Sequence, residues 1–410
     1  SSIFYLNSLF YLPVIKYFSF NLGVILIFGF SNLILIFKLK DDYKNKRYDF
    51  IFFLTLLSFL FINIFFYRIA EHGTDRSAQI LILILFIEVF SLYRESAIIE
   101  KLFSKIFILL GLIITLKAFY VLYLLILIPV FYNFRKNILF LNFFKNFYFY
   151  LFCSIGFLLM LINIFNSGCI LYPVNITCFS NFEWSLFNEA KSSNDWYEQW
   201  AKAGAGPNHR VDNPENYIKG FNWVANWIDM YFFNKVSDFI IGLLILLLIV
   251  NFTFKSKNKN NIKIKKQNYL VYSITIILFF EWFYNHPSLR YGGFSLIALI
   301  IFIPFSIYIS KFISIKYFKE KIIFLIVLSL VIFVGRNANR IQNEVKKYNY
   351  HLFSYPYYYL DKVHFRVDTF VNRILVNYQN CMDENKINCE RFEGISVSKK
   401  NIYYILKKYK

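Results

Sequence analysis

The groups that could do chemistry in this chain sit in three polar stretches, each wedged between long apolar runs. Residues 67–78 place Glu71, His72, Asp75 and Arg76 within six positions. Charged side chains so close to hydrocarbon are costly unless they are paired or functional. As functional groups, a carboxylate or imidazole here would bind a metal, a sugar hydroxyl or a phosphate. As a solvated loop, the stretch would simply let Asp75 and Arg76 open the next helix. Residues 286–291 read His286-Pro287-Ser288-Leu289-Arg290-Tyr291, followed by Gly292 and Gly293. A guanidinium binds two phosphate oxygens at once and glycine permits close backbone approach, so this stretch suits a lipid-linked phosphate or pyrophosphate. The simpler role for Arg290 is to reach lipid headgroups. Residues 166–235 carry Trp184, Trp196, Trp200, Trp223 and Trp227 with Glu183, Asp195, Glu198, His209 and Asp212 among them. Indoles stack on sugar rings, so the loop could close over a glycan; they also anchor loops at a membrane surface.

The elements that must position these groups are membrane helices. The chain has 410 residues, 58% of them hydrophobic, and a mean hydropathy of +0.46, too apolar for one soluble core of this size. Ten runs are apolar enough to sit in hydrocarbon: 17–37, 48–66, 79–93, 106–116, 118–132, 147–165, 236–254, 269–285, 292–310 and 322–335. Several fall short of the usual ~20 residues, so tilted or partly inserted helices are expected. The net charge of +20 is concentrated in short loops beside these runs, as retention of Lys and Arg in the cytosol predicts, and it argues against nucleic acid as a partner. That rule puts 38–47, 94–105, 133–146, 255–268 and 311–321 in the cytosol. It puts 67–78, 166–235, 286–291 and everything after 335 outside. The expected fold is all-α: a polytopic bundle of about ten spans with a large extracytosolic loop and a small extracytosolic tail. Its parts are 1–165, 166–235, 236–335 and 336–410.

Residues 106–133 join two cytosolic loops and must therefore cross an even number of times, as a short hairpin or re-entrant pair with Lys117 near its tip. As one helix they would extend about 42 Å, longer than a ~30 Å core needs. The close pairs Cys169/Cys178 and Cys381/Cys389 both fall outside and read as two disulfides in an oxidising compartment. Zinc is the alternative, although no histidine stands at ligand spacing to either pair. Cys153, within a run, reads as a buried small apolar residue. Glu281, within the run before His286, is expected to face the bundle interior if it carries a charge. The chain opens at Ser1 without an initiating Met or signal peptide and already in an apolar run, which reads as a piece missing its N-terminus. No phosphate loop, nucleophile elbow, dinucleotide fingerprint or HExxH appears.

These features together carry a resemblance. Polytopic architecture, outer polar loops, a hairpin with a Lys and a large outer loop after the following span resemble the GT-C class of integral-membrane glycosyltransferases. More narrowly, Ser167-Gly168-Cys169-Ile170-Leu171-Tyr172-Pro173, then Thr177-Cys178 and Trp184, then Pro287-Ser288-Leu289-Arg290-Tyr291, then the Cys381 to Cys389 loop, are similar to an uncharacterised family of bacterial envelope membrane proteins. The resemblance implies a bacterial inner-membrane enzyme of envelope polysaccharide synthesis, with a polyprenyl-phosphate-linked sugar and a glycan acceptor as partners. A divalent cation is the one cofactor it leaves open. GT-C enzymes use an acidic residue in the first outer loop, which would lie upstream of Ser1. What remains is Glu71 and Asp75 as secondary carboxylates, Arg290 and Lys117 as phosphate contacts, and His286, His72 and Trp184 as further substrate contacts. A polysaccharide polymerase of the O-antigen type is the nearest rival. A transporter or flippase is the rival from another class, and no matching pair of halves supports it.

Overall fold

The structure, a computed structural model, describes residues 21–68, 73–94, 99–134, 144–206, 211, 213–256, 265–314, 316–348, 395–400 and 403–408. Glu71, His72, His209, Asp212, Cys381 and Cys389 lie outside the described residues. The chain forms two units, Ser1–Gly335 and Arg336–Lys410.

The first unit is helical. In chain order it contains α1 (Leu22–Lys44), α2 (Phe50–Phe65), α3 (Gly73–Arg94) and α4 (Ile99–Leu116). A 3-10 segment, Ala118–Ile126, leads into α5 (Leu127–Phe134), followed by α6 (Phe147–Ser167), α7 (Phe187–Lys202), α8 (Pro214–Ile218) and α9 (Val224–Trp227). A π-helical segment, Ile228–Val236, then runs into α10 (Ser237–Phe254), α11 (Lys266–Asn285), α12 (Gly293–Lys311) and α13 (Phe318–Tyr348), whose residues from Arg336 on belong to the second unit. A helical segment lies on each of the ten apolar runs. Five stretches are long and apolar enough to cross a membrane: Leu22–Lys44, Asp75–Arg94, Phe147–Ser167, Val224–Phe254 and Gly293–Lys311. Phe50–Phe65, Leu102–Leu116 and Phe119–Tyr132 are apolar but shorter.

Burial sorts these helices by the pattern of their residues. α2 is apolar on every side, and every residue from Phe50 to Asn63 is buried, as an all-round hydrophobic helix requires. At about 24 Å it is short for a span; Asp49 starts it by accepting from Ile51 N and Phe52 N, both at 3.1 Å. α3 is buried continuously from Ser77 to Tyr93. α6 is the opposite case. Only Ser167 of its residues is buried, while Phe157 is 61% and Phe165 71% exposed, a surface suited to hydrocarbon rather than water. Cys153, expected to be buried, is exposed on this helix, because α6 packs one side against α4 and leaves the rest open. Gly168 ends α6 at φ +70, where a side chain would also strike Ser185.

The two ends of α3 are both charged. Asp75 and Arg94 are nineteen residues apart, about 28 Å along a helix. At the Arg94 end, Arg94 bridges Asp42 at 2.7 Å and Asp49 at 3.2 Å, tying α1, α2 and α3 together. Buried Glu88 accepts from Lys38 at 3.0 Å and Lys105 at 3.3 Å. Several further contacts gather at this end. Lys265 donates to Tyr93 O, Phe318 packs on Tyr48 with ring centroids 4.3 Å apart, Lys255 bridges to Ile313, and Asn146 donates to Ser104. Every loop assigned to the cytosol by its charge has a described residue in this set.

In the second unit, β1 (Ile395–Lys400) and β2 (Tyr403–Lys408) form an antiparallel hairpin with Ile395 opposite Lys408. The all-α expectation holds for the helical unit, and this hairpin adds a small β element to it. Alternating Ile395 and Val397, and the aromatic and branched Tyr403, Tyr404 and Ile405, carry strand propensity in a segment too polar to cross a membrane.

Candidate functional site

At the other end of α3, three separate parts of the sequence meet on one carboxylate. Asp75, in the first turn of α3, has its side chain 1% exposed and receives Lys117 on one oxygen and Arg290 on the other. Lys117 lies where the chain leaves α4 in an extended conformation before the 3-10 segment. Arg290 belongs to a single 3-10 turn, Leu289–Tyr291, between α11 and α12. Two cations on one anion leave the trio with a net charge of +1, and Arg290 keeps 43% of its side chain exposed. Burial alone would lower the Arg290 pKa, but the hydrogen bond and charge of Asp75 outweigh it and hold the guanidinium above its ordinary value. Burial lowers the Lys117 pKa, partly offset by Asp75. Its ammonium also stands 4.2 Å from the centre of the Tyr291 ring.

His286 completes the cluster. It caps α11 and sits edge-on to Phe119 and Tyr291, with centroids 6.3 and 5.9 Å away. Burial, then Lys202 and Lys117, push its pKa down to about 4, so the imidazole is neutral. Its buried Nδ1 has no hydrogen-bond partner among the described residues. The site therefore offers two cations and a neutral ring nitrogen.

The backbone carrying Arg290 is held from three sides. Gln79, one turn after Asp75, donates to Arg290 O at 3.1 Å and accepts from Ser295 N at 3.1 Å. Trp227 donates to Pro287 O at 2.8 Å and Trp282 to Ser288 O at 2.9 Å. Tyr231 accepts from Leu289 N at 2.9 Å. The space expected for phosphate beside Gly292 and Gly293 is otherwise used. A side chain at Gly293 would overlap the Trp282 indole, and Gly292 turns at φ +111 against Phe119 and Tyr120. These glycines serve internal packing.

Of the tryptophan-rich loop, Trp200 and Tyr197 reach the cluster, with centroids 5.7 and 6.5 Å from Tyr291. Trp184 is placed elsewhere: it stacks on Phe182 at 4.7 Å and donates to Ile164 O at 3.1 Å, beside the Cys169–Cys178 disulfide. Lys202 anchors the loop from a fully buried position, donating to Glu198 at 2.5 Å and Ile218 O at 3.0 Å with its ammonium over Trp223 and Tyr284. Gln79, Tyr197 and Lys202 went unnoticed in the sequence because they acquire a role only when distant segments meet, whereas Trp200 stood out among the loop's tryptophans. Among the described residues no group of three His, Cys, Asp or Glu is placed to hold a metal ion. Behind the Arg290 turn, Trp227 and Trp282 also wall an open apolar cavity of about 440 Å³, lined further by Phe232, Phe283, Ile297 and Ile301.

Residues 1–297 match the profile of a domain of unknown function, DUF8201. The chain belongs to that family. The matched region contains Asp75, Lys117, His286 and Arg290, so the whole cluster lies within the family's domain. No curated protein and no solved structure matches the chain.

Proposed function

We propose that this protein is a GT-C-type membrane glycosyltransferase that takes a sugar from a polyprenyl-phosphate donor in the synthesis of a cell-envelope polysaccharide. In this account ten spans cross a bacterial plasma membrane, and the Asp75 end faces outward. The observation that carries the account is the sharing of Asp75 between Lys117 and Arg290, next to an apolar cavity. A net positive cluster favours an anion, and an apolar space beside it suits a hydrocarbon chain, so one lipid phosphate satisfies both.

The acceptor oxygen attacks the anomeric carbon, whose bond to the phosphate oxygen breaks with the electron pair leaving on phosphate. Lys117 and Arg290 stabilise that developing charge. Asp75 spends both oxygens on these cations and so orients them, rather than taking the acceptor's proton. Neutral His286 accepts a hydrogen bond from a sugar hydroxyl, and the acceptor's proton passes to a carboxylate such as Glu71. Trp200 and Tyr197 supply ring faces for the sugar. The polymerase and transporter alternatives share the anion site but not the use of a single-sugar donor.

The test is sugar transfer by the full-length protein in proteoliposomes supplied with polyprenyl-phosphate-linked sugars. Arg290→Ala should lower transfer by about one to three orders of magnitude, matching loss of about 2 to 4 kcal/mol of charge-assisted binding. Arg290→Lys should recover only part of it, since an ammonium lacks the planar fork. Wild-type transfer by Arg290→Ala at normal expression would overturn the phosphate role.

A further inference from the structure

A second set of polar groups runs inward from Asp75 without touching the cations. Tyr120 and Tyr123, on the 3-10 segment, are both fully buried, with ring centroids 5.8 Å apart. Neither hydroxyl has a hydrogen-bond partner among the described residues. Tyr120 is within electrostatic reach of Asp75 and of Tyr123, and Tyr123 within reach of Glu281 on α11. One Glu281 oxygen accepts from Asn285 at 3.0 Å; the other is buried and also without a partner among the described residues.

Three buried polar atoms on two touching elements need a common explanation, since native interiors leave such groups unsatisfied only rarely. Glu281 also differs from the other buried carboxyls. Asp75 and Glu88 each hold two cations, whereas among the described residues no lysine or arginine pairs with Glu281: Lys202, over Tyr284 on α11, is paired with Glu198. α12 has no ionisable side chain before Tyr308, α5 has only Tyr132, and the cationic residues of α3 lie in its first and last turns. A carboxyl that lacks a cation in apolar surroundings keeps its proton rather than its charge.

We propose that Tyr120, Tyr123 and Glu281 form a proton-binding file inside the bundle, with Glu281 as a protonated carboxyl at the inner end and Asp75 marking the outer end. The hydroxyls are too far apart to bond directly and are linked through water, which takes two to four polar partners at such sites. The file does not depend on the sugar-transfer account. Its role is to store a proton and exchange it with the Asp75 face.

Dicyclohexylcarbodiimide tests this in the full chain, because the apolar reagent reacts only with protonated carboxyls. Peptide mapping should find the adduct on Glu281 at neutral pH, with a rate that falls about tenfold per pH unit once the group titrates. Asp75 and Glu88 should stay unlabelled. An infrared carboxylic-acid band should vanish in Glu281→Gln and shift in Tyr123→Phe, a variant that keeps the ring. Absence of the Glu281 adduct, equal labelling of Glu88, or a band indifferent to Tyr123→Phe would each overturn the file.

Discussion

Removing the charge of Asp75 would leave Lys117 and Arg290 facing each other with nothing between them. Asp75→Asn should therefore destabilise the protein by about 1 to 3 kcal/mol, below the full cost of breaking a buried pair because Arg290 is partly solvated. Thermal unfolding in detergent reads this directly. Removing all three side chains together should cost less than the sum of the separate losses, because the groups act as one network. His286 gives the residue scale its pH signature. Its folded pKa of about 4 lies below the ordinary 6.5, so between those values the unfolded chain takes up a proton that the folded chain refuses. Stability should fall as pH drops through that window, by at most about 3 kcal/mol, and level off below it. His286→Gln should flatten the slope, and an unchanged slope would mean that other groups set it.

At the scale of elements, the first turns of α3 act as the receptor for the turn between α11 and α12. Asp75 takes the Arg290 side chain, and Gln79, four residues on and on the same face, takes the backbone around it. Gln79→Ala should lower stability by about 2 to 3 kcal/mol by leaving buried backbone groups unpaired. It should also reduce transfer although Gln79 touches no substrate; unchanged melting and transfer would show that Trp227, Trp282 and Tyr231 hold the turn unaided. This division also explains what the sequence could reveal. Asp75, Lys117, His286 and Arg290 stand out because each is an ionisable residue at the edge of an apolar run, a local signal. Gln79, Tyr197 and Lys202 are ordinary polar or aromatic residues until folding sets them against Ser295, Tyr291 and Tyr284. Gly293 was legible as a close approach, but only the packed helices show that Trp282 is what approaches. Cys153 was misjudged because an apolar run gives no sign of which helix face meets lipid.

Across the first unit, two charged ends separated by the length of α3 define its axis. The Arg94 end gathers the lysine-rich loops, and the Asp75 end gathers the tryptophan-rich loop and the Arg290 turn. If the lysine-rich end is cytosolic, reporter fusions after Asn258 should read inside and fusions after Asn208 or Asn380 outside. A cytosolic signal at Asn208 would turn the proposed site to the wrong face for a polymer built outside the cell. The central claim, that Lys117 and Arg290 form an anion site for a lipid-linked phosphate, is tested most directly by equilibrium binding of radiolabelled polyprenyl phosphate to the purified full-length protein in nanodiscs. The account predicts saturable binding, competed by inorganic pyrophosphate and weakened about tenfold or more when Lys117 and Arg290 are both changed to Gln. Equal binding by that folded double variant would contradict it.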